Sequence, residues 1–368
     1  MKPFQIGNTC VGTGLGPAQS SNTRVGTGLR PVQGGAKPRP HTVGECMKPF
    51  LVIILLSSTA WAATLQKQLD KMASRFHGKV TLYAINMKTG DTVELKADEP
   101  VQTASVIKLP VMVEVFAEVA AGKRSLQDKL VLTRENQVPG SGILAQLQPG
   151  LELTLYDAVV LMMDLSDNTA TNVVIDHIGI PSVNTRIKAM GLKDTYLYKK
   201  VFKPAEGPMP PDQAKFGLGK TTAREMAEVM ESIEGCAAGA KPPSHAPANW
   251  NGVNDPGLCR QMIEIMRNQQ QNRNMIPHYL ETIDTSDQGS AIADKPGELD
   301  DVRADVAVVY SKSGPIVISA FTYDNKDQTW TAENEAELLI ARMARLIVNT
   351  WSPAGLEPPK GGPASAKP

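Results

Sequence analysis

The stretch Thr103-Ala104-Ser105-Val106-Ile107-Lys108-Leu109-Pro110 decides how the rest of the chain is interpreted, and an apolar run over 111–121 follows it. As the first turns of a buried helix, the stretch places Ser105 and Lys108 on one face, because they are three residues apart. A serine hydroxyl needs a nearby base to become a useful nucleophile. A lysine that apolar neighbours partly desolvate has a lowered pKa and can supply that base. Short Ser-x-x-Lys patterns are common, so a surface helix start with a solvated lysine is the alternative.

The composition is typical of a soluble globular protein. The 368 residues carry 38 basic and 38 acidic side chains, and 42% of them are hydrophobic. A chain of this size can bury a substantial core, and a zero net charge argues against nucleic acid as the main partner. No apolar run reaches the ~18 residues of a membrane span. The five histidines and four cysteines lack metal-ligand spacing, so no metal or other cofactor is predicted.

The N-terminal part contains two different kinds of sequence. Residues 1–46 hold a short Gly-rich repeat and few core-forming residues, so they are predicted to be disordered. Residues 47–62 have the anatomy of a secretory signal peptide: Met47, a lysine, an apolar stretch and the small-x-small site Ala60-Trp61-Ala62. The simplest hypothesis is that translation starts at Met47 and that the mature protein is exported. The alternative is an uncleaved internal anchor.

The cysteines agree with export. Cys236 and Cys259 are the two that remain in the predicted mature chain. An even pair in an exported protein favours a disulfide, here one that closes a Gly/Pro-rich insertion between two helical segments. Two buried free thiols are the alternative.

Patterns along the chain predict strands near both ends of the mature protein and helices between them. Strand-like segments lie at 79–86, 92–96, 290–293, 302–310 and 316–323, and a long terminal helix is predicted over 331–351. This order predicts an α+β (α/β) three-layer sandwich. Its antiparallel sheet is covered by helices, and an all-helical lobe is inserted over about 125–285. The predicted domain covers 63–351, and the Pro/Gly-rich tail 352–368 is predicted to be disordered.

Two further polar clusters fall where they could line a cleft beside Ser105. In Ser166-Asp167-Asn168, the serine can relay a proton and the asparagine amide can hold a carbonyl. An ordinary helix cap is the alternative. In Asp294-Lys295-Pro296-Gly297, the lysine supplies positive charge and the backbone after the glycine can donate to an oxyanion. A Pro-Gly turn is the alternative.

In this order the three clusters resemble the S-x-x-K, S-D-N and K-T-G motifs of class A β-lactamases and penicillin-binding proteins. The stretch Gly219–Met226 is similar to a helix start of class A enzymes, and 300–306 is similar to the strand after their third motif. The resemblance covers about 65–351. It implies the β-lactamase/transpeptidase-like fold and a serine hydrolase that works without a cofactor.

The resemblance also implies roles for the first two motifs. Ser105 would be the acylated nucleophile and Lys108 its base or proton relay. Ser166 would carry the proton to the leaving nitrogen. Asn168 would bind the substrate amide and Lys108.

The third motif and its neighbours would bind substrate. Lys295 would bind the substrate carboxylate and lower nearby pKa values. Gly297 is a further substrate-binding candidate, and the N–H groups of Ser105 and Glu298 would form the oxyanion hole. Arg303 is a further candidate for carboxylate binding, with a surface strand residue as the alternative.

Two positions depart from the family pattern. Pro296 replaces the usual Thr or Ser and lacks both the hydroxyl and the N–H, which is tolerable on an edge strand. Class A enzymes also carry a glutamate that activates water for deacylation. Glu206 is the only glutamate in the corresponding loop, and it lacks the usual surrounding pattern. It is the candidate base.

The leading hypothesis is a periplasmic or secreted bacterial β-lactamase, acting in β-lactam catabolism and antibiotic resistance as a monomer without nucleic-acid partners. A D-alanyl-D-alanine peptidase or esterase with slow β-lactam deacylation is the second hypothesis, so the substrate is a β-lactam or a cell-wall peptide. A non-catalytic sensor is the third, although the sequence contains neither a predicted membrane span nor a signalling domain.

Overall fold

The computed structural model describes residues 63–239, 252–268, 274–280 and 290–359. The predictions for 1–46 and for the signal peptide at 47–62 lie outside the described residues, as does the end of the tail from 360. Among the helices in the described ranges, none is long and apolar enough to cross a membrane.

Strands and helices are numbered in chain order. In chain order the strands are β1 (Lys79–Asn86), β2 (Thr92–Leu95), β3 (Val101–Gln102), β4 (Lys129–Val131), β5 (Glu152–Thr154), β6 (Tyr196–Leu197), β7 (Gly219–Thr221), β8 (Ile292–Leu299), β9 (Val302–Val309) and β10 (Ile316–Tyr323). The helices are α1 (63–73), α2 (Lys108–Ala120), α3 (Leu155–Asp164), α4 (Asn168–Ile178), α5 (Ile180–Ala189), α6 (Gln213–Phe216), α7 (Ala223–Ala237), α8 (Pro256–Arg267) and α9 (Glu335–Trp351). Single 3₁₀ turns lie at Ala104–Ile107 and Leu144–Gln146.

The main sheet joins strands from both ends of the described chain. Its order is β2-β1-β10-β9-β8, with antiparallel pairing throughout. Strands β9 and β10 are buried almost completely because both faces of the sheet are covered. Alternate residues serve opposite faces, as the two-residue strand period requires. The antiparallel sheet that the sequence predicts is confirmed.

Two apolar layers flank this sheet. Val306 and Phe321 pack on the side of α2, α7 and α8, whereas Ala307 and Ile318 pack on the side of α1 and α9. Together the two layers and the sheet form the predicted three-layer arrangement. On one side, α2 is buried from Lys108 to Glu118. Burying each Val, Leu or Phe side chain stabilises by roughly 1.5–3 kcal/mol, so α2 is a firm base for the residues at its start.

The lobe between β3 and β8 is not all-helical, and that prediction is wrong. Strands β3, β7 and β6 form a small antiparallel sheet, and β4 pairs with β5. Strands of two or three residues are too short to show a two-residue hydrophobic period, so the sequence pattern did not reveal them.

A disulfide links the helices that border the insertion. The sulfur atoms of Cys236, near the end of α7, and Cys259, in α8, are 2.02 Å apart, with the Cα atoms 5.8 Å apart. Much of the insertion that this bond closes lies outside the described residues.

The predicted disordered tail is wrong for its first eight residues. The segment 352–359 lies against the turn after β9: Leu356 forms a bridge with Ser311, and the Glu357 N–H donates to the Tyr310 carbonyl at 3.1 Å. Leu356 also contacts the core layer beside α9. The Pro and Gly residues of the segment 352–359 suit an irregular conformation, which a few apolar and backbone contacts still hold in place.

Candidate active site

Ser105 lies in a tight turn that leads directly into α2. Residues Ala104–Ile107 form a 3₁₀ turn, and the α-helix begins only at Lys108. The single helix predicted from Ser105 is therefore two elements. Ala104 has a φ of +43°, which is uncommon for a residue with a side chain and indicates local backbone strain. The turn leaves Ser105 half-buried at the surface of a cavity.

Lys108 is fully buried and held by the second motif. Its Nζ lies 2.8 Å from the Ser166 carbonyl, 3.0 Å from Ser166 Oγ and 3.1 Å from Asn168 Oδ1. Burial, and then the positive charge of Lys295, lower the pKa of Lys108 well below its usual value, while the Asp167 carboxylate acts in the opposite direction. The prediction of a solvated lysine is wrong, and the prediction of a desolvated lysine on the Ser105 side is the one that fits.

The second motif is both a helix cap and part of the site. Asp167 caps α4 by accepting from the Ala170 N–H at 2.8 Å, and its other oxygen accepts from the N–H groups of Ile143 and Leu144 at 2.6 and 2.8 Å. This fixes the turn in which Ser166 has a φ of +49°. The two interpretations of the motif are thus compatible, because the aspartate does the capping and leaves its neighbours to face the lysines.

Asn168, the first residue of α4, uses both ends of its amide. Its Oδ1 accepts from Lys108, and its Nδ2 donates to the Pro139 carbonyl at 3.2 Å. The predicted contact with Lys108 is therefore present. Its binding of a substrate amide remains a prediction, and the Nδ2 group has a second N–H besides the one that bonds Pro139.

Lys295 approaches the same serine from the sheet. It is fully buried in β8, and its Nζ lies 3.1 Å from Ser166 Oγ and 3.0 Å from the Pro296 carbonyl. Burial lowers the pKa of Lys295 to about 8, although several carboxylates oppose this shift. Ser166 Oγ is thus within hydrogen-bond distance of two buried amines.

The third motif lies within a strand and not in a turn. Strand β8 runs through all of it, from Ile292 to Leu299, and forms one edge of the main sheet. The prediction of a turn here is wrong, whereas the edge location that makes Pro296 tolerable is observed. Pro296 pairs with Asp305 of β9. An edge strand can accept a proline because it has a neighbour on one side only.

Gly297 brings β8 against the Ser105 turn. A Cβ at this position would lie 3.1 Å from the Ser105 nitrogen, the Thr103 carbonyl oxygen and the Ala104 Cβ. Distances of this kind are tighter than normal contacts, so a side chain here would force the strand and the turn apart by a few tenths of an ångström. A glycine is therefore needed here for close backbone approach. Glu298, the next residue, lines the cavity together with Ser105.

The cavity in front of Ser105 has a volume of about 440 Å³. Its near wall comes from the three motifs, and its far wall comes from α9 and the loop before it. The lining residues are Ser105, Ser141, Ser166, Asn274, Pro296, Gly297, Glu298, Trp330, Thr331, Ala332 and Glu337. Within the described ranges, no group of three or more His, Cys, Asp or Glu side chains could hold a metal ion.

Glu206 lies apart from this cavity. Its side chain is 78% exposed, and its Oε1 is 3.8 Å from Lys200 Nζ, which also binds Asp176 Oδ1 at 2.8 Å. It is not among the residues that line the cavity in the described part of the chain. The structure therefore brings the first three motifs together but does not bring the candidate deacylation base to them.

Arg303 is neither a surface residue nor a cavity residue. It is fully buried in β9, where its Nε binds Glu337 Oε1 at 3.0 Å and its Nη2 donates to the Thr329 carbonyl at 2.8 Å. Its Nη1 donates to the carbonyls of Leu299 and Val302. The surface alternative is wrong. The many contacts of the guanidinium instead make Arg303 a support for the cavity wall.

Several site residues have no motif that could have revealed them. Trp330, Glu337, Asn274 and Ser141 line the cavity from segments far apart in the sequence. Asp164, the last residue of α3, is another: burial raises its pKa to about 7, and its Oδ1 is buried without a hydrogen bond. Burial raises the pKa of this carboxyl while the charge of Lys295 opposes the rise, and both influences depend on the fold.

The fold is thus a layered α+β sandwich in which two buried lysines contact the Ser166 hydroxyl, in the wall of the cavity that Ser105 also lines. A model of the β-lactamase enzyme family matches residues 64–351, so the chain belongs to that family. A β-lactamase from Rhodobacter capsulatus is 28% identical over 122 residues, which are 33% of this chain and 41% of the relative. Another from Proteus vulgaris is 26% identical over 124 residues, 33% and 45% of the two chains. The matched segments therefore span less than half of these curated relatives.

Solved structures agree on the fold. A β-lactamase from Sphaerobacter thermophilus superposes with a TM-score of 0.62 at 26% identity, over 79% of this chain and 96% of that one. A point mutant of PBP-A, solved as an acyl-enzyme complex with penicillin G, gives 0.61 at 24% identity, over 77% and 95% of the chains. At that level of identity, the second match shows the fold alone.

Proposed function

We propose that the protein is an exported serine hydrolase that opens the β-lactam ring by forming an ester on Ser105. One observation carries the proposal: two buried lysines converge on the Ser166 hydroxyl, at 3.0 and 3.1 Å, in the wall of the cavity that Ser105 faces. Burying two amines beside one hydroxyl is costly for folding. Such an arrangement is typical of a site that moves protons.

The lowered pKa of Lys108 suits it to act as the base for acylation. In its neutral form it removes the Ser105 proton while Oγ attacks the lactam carbonyl carbon. The carbon–nitrogen bond then breaks, and the ring nitrogen takes the Ser166 proton. The Lys108 ammonium, 3.0 Å away, returns a proton to Ser166. The net result is an ester on Ser105 and a free amine, with no proton gained or lost.

The other motif residues bind and polarise the substrate. Lys295 in its charged form attracts the substrate carboxylate, and Asn168 can present its amide to the substrate carbonyl group next to the ring. The N–H groups of Ser105 and Glu298 form the oxyanion hole, a role that the close approach at Gly297 supports.

Release of the ester requires water and a base that accepts its proton. Glu206 is the sequence candidate, but its 78% exposed side chain pairs with Lys200. This observation favours a second candidate function, a D-alanyl-D-alanine peptidase or esterase of the same fold in which the ester with a β-lactam is long-lived. In both functions Ser105 is acylated, and they differ in how fast water restores it.

We also propose a periplasmic or secreted location and action as a monomer. The signal-peptide pattern at 47–62 and the Cys236–Cys259 disulfide support export, since disulfides persist in oxidising compartments.

The deciding experiment treats the mature protein with nitrocefin and with benzylpenicillin. A chromogenic burst followed by steady turnover supports a β-lactamase, and a burst with a persistent adduct on intact-mass spectrometry supports the second function. Ser105→Ala should show neither. No adduct and no turnover with either compound, from protein that unfolds cooperatively on heating, would refute acylation at Ser105.

A further inference from the structure

Trp330 is the one aromatic side chain among the described residues that line the cavity. The other lining residues are polar, or small like Pro296 and Ala332. Trp330 is nevertheless 60% exposed, so most of its apolar surface faces solvent. Leaving a large aromatic surface in water is unfavourable. In a concave site, such a surface is typical of a residue that contacts a ligand.

A buried arginine fixes the orientation of the Trp330 ring. The Arg303 guanidinium lies over the ring, 4.6 Å from its centroid. Arg303 is fully buried, and its guanidinium is held by Glu337 Oε1 at 3.0 Å and by the Thr329 carbonyl at 2.8 Å. One face of the indole therefore lies against a part of the protein that is firmly held. The solvent-exposed area belongs to the opposite face and the edges.

The loop that carries Trp330 is also held in place. Asp327 Oδ1 accepts from the N–H and the hydroxyl of Thr329 at 3.0 and 2.7 Å, and its Oδ2 accepts from the Glu335 N–H at 2.8 Å. Asn334 donates to the Thr329 carbonyl at 2.9 Å and caps α9. These bonds lie on both sides of Trp330 in the sequence. A side chain that is already positioned loses little conformational entropy when it contacts a ligand.

Strand pairing places the ring beside the third motif. Glu298 of β8 pairs with Arg303 of β9, and Pro296, two residues earlier in β8, points to the same face of the sheet. Trp330 stacks on Arg303 and therefore lies on this face as well. Lys295, which is proposed to attract the substrate carboxylate, is the residue next to Pro296. The group that meets Trp330 is thus one attached close to that carboxylate.

We propose that Trp330 is a specificity-determining residue, whose open face stacks on a flat apolar group attached next to the carboxylate of the substrate. The inference rests on the proposed function and names its preferred substrates: β-lactams with an aromatic substituent at that position. Two aromatic rings that stack with an offset stabilise a complex beyond the area that they bury. Pro296 adds to the preference, because its apolar ring stands where the family usually has a hydroxyl group.

Nitrocefin and cephalothin test the stacking, because they share a thienylacetyl side chain and differ at the ring carbon next to the carboxylate. Nitrocefin carries a dinitrostyryl group there, and cephalothin carries an acetoxymethyl group. Stopped-flow absorbance gives the acylation efficiency of each compound. The ratio of the two efficiencies is compared between proteins, so that the intrinsic reactivity of each compound cancels. We expect Trp330→Leu to lower the nitrocefin-to-cephalothin ratio about tenfold, the size of one good aromatic contact.

Two further variants show whether the ratio reports stacking. Trp330→Phe should keep most of the ratio, because it keeps an aromatic ring. Tyr156→Leu is the matched control: it removes an exposed aromatic residue that does not line the cavity, and the ratio should not change. If Trp330 served only to cover Arg303, its loss would lower both efficiencies together. An unchanged ratio in Trp330→Leu would therefore overturn the proposal.

Calorimetric binding to Ser105→Ala separates this inference from the proposed function. Nitrocefin should bind about tenfold more tightly than cephalothin, and adding Trp330→Leu should remove most of the difference. That result supports the stacking even if the wild-type protein is never acylated. Equal binding of the two compounds would overturn the stacking while leaving acylation at Ser105 intact.

Discussion

Ser166 and Glu206 lie in the same lobe, but their surroundings are opposite. Ser166 is 4% exposed, and two buried lysines contact its hydroxyl. The Glu206 carboxylate is 78% exposed and has a single 3.8 Å contact with Lys200. A general base acts best when burial or a neighbouring charge adjusts its pKa. The proposed acylation residues therefore have a buried, charged environment, whereas the proposed deacylation base Glu206 does not.

The largest expected effect comes from removing the amine of Lys108, the proposed general base for acylation. Lys108→Met keeps the length of a buried side chain but removes the amine that contacts Ser166 and Asn168. We expect the rate of acylation by nitrocefin to fall about 10²–10⁴-fold, the usual contribution of a general base. Stopped-flow measurement of the burst checks this.

The control for this variant is Lys123→Met, which removes an exposed lysine just after α2. Its burst should match that of the wild-type protein. A Lys108→Met protein that folds normally and is acylated at the wild-type rate would contradict the proposed role of the amine.

The second effect tests how closely β8 must approach Ser105. Gly297→Ala would place a Cβ 3.1 Å from the Ser105 nitrogen and the Thr103 carbonyl oxygen. The strand and the turn must then separate by a few tenths of an ångström, which misplaces the proposed oxyanion donors. We expect acylation to slow about 10–100-fold, because small displacements in an active site have large kinetic effects.

Thermal unfolding of Gly297→Ala separates misplacement from misfolding. The variant should unfold cooperatively within several degrees of the wild-type protein, since β8 lies at a sheet edge and can shift outward. Unchanged acylation would show that the contact between β8 and the Ser105 turn does not position the donors.

The third effect is a pH dependence of acylation efficiency that comes from Lys295. Burial lowers the pKa of Lys295 from 10.5 to about 8. Its charged form, which attracts the substrate carboxylate, is present below pH 8 and disappears as the pH rises through that value. We therefore expect acylation efficiency to fall about tenfold per pH unit well above 8, in a profile measured from pH 6 to 10.

Lys295→Arg provides the matched comparison, because a guanidinium stays charged over this range. Its efficiency should be lower overall, since arginine is larger, but the decline above pH 8 should be absent. A decline that remains in Lys295→Arg would assign the titration to another group, with Lys108 as the first to examine.

Elements next to the motif residues could be predicted because Lys108 and Lys295 lie in a regular helix and a regular strand. The apolar run over 111–121 predicted α2, and the strand-like segments at 302–310 and 316–323 predicted β9 and β10. Once these elements pack, the lysines have few other places to lie. Even so, the motif at Lys295 is a strand where a turn was an open alternative, because a Pro-Gly pair in an edge strand has no distinct local signal.

The far wall of the cavity could not be predicted for a different reason. Trp330 and Glu337 lie in the loop before α9 and in α9 itself, and neither belongs to a recurring pattern. Arg303 lies in a strand with a clear pattern, but its burial depends on Glu337 and Trp330 closing over it. Pairings of this kind exist only in the folded chain, so composition and periodicity carry no trace of them.

The smallest expected effect tests whether the exposed Glu206 takes part in deacylation at all. Glu206→Gln removes the candidate deacylation base while keeping the size of the side chain. Because the carboxylate is exposed and outside the cavity, we expect the rate of ester hydrolysis to change less than about twofold, far below the usual effect of losing a general base. Decay of the penicillin adduct, followed by intact-mass spectrometry, measures that rate directly.

Lys200→Met is the companion variant, since it removes the ion-pair partner of Glu206 and should change the rate of ester hydrolysis equally little. If Glu206→Gln instead prolongs the lifetime of the adduct a hundredfold, the loop that carries Glu206 must move towards Ser105 after acylation. The site would then hold a working base for deacylation as well as for acylation.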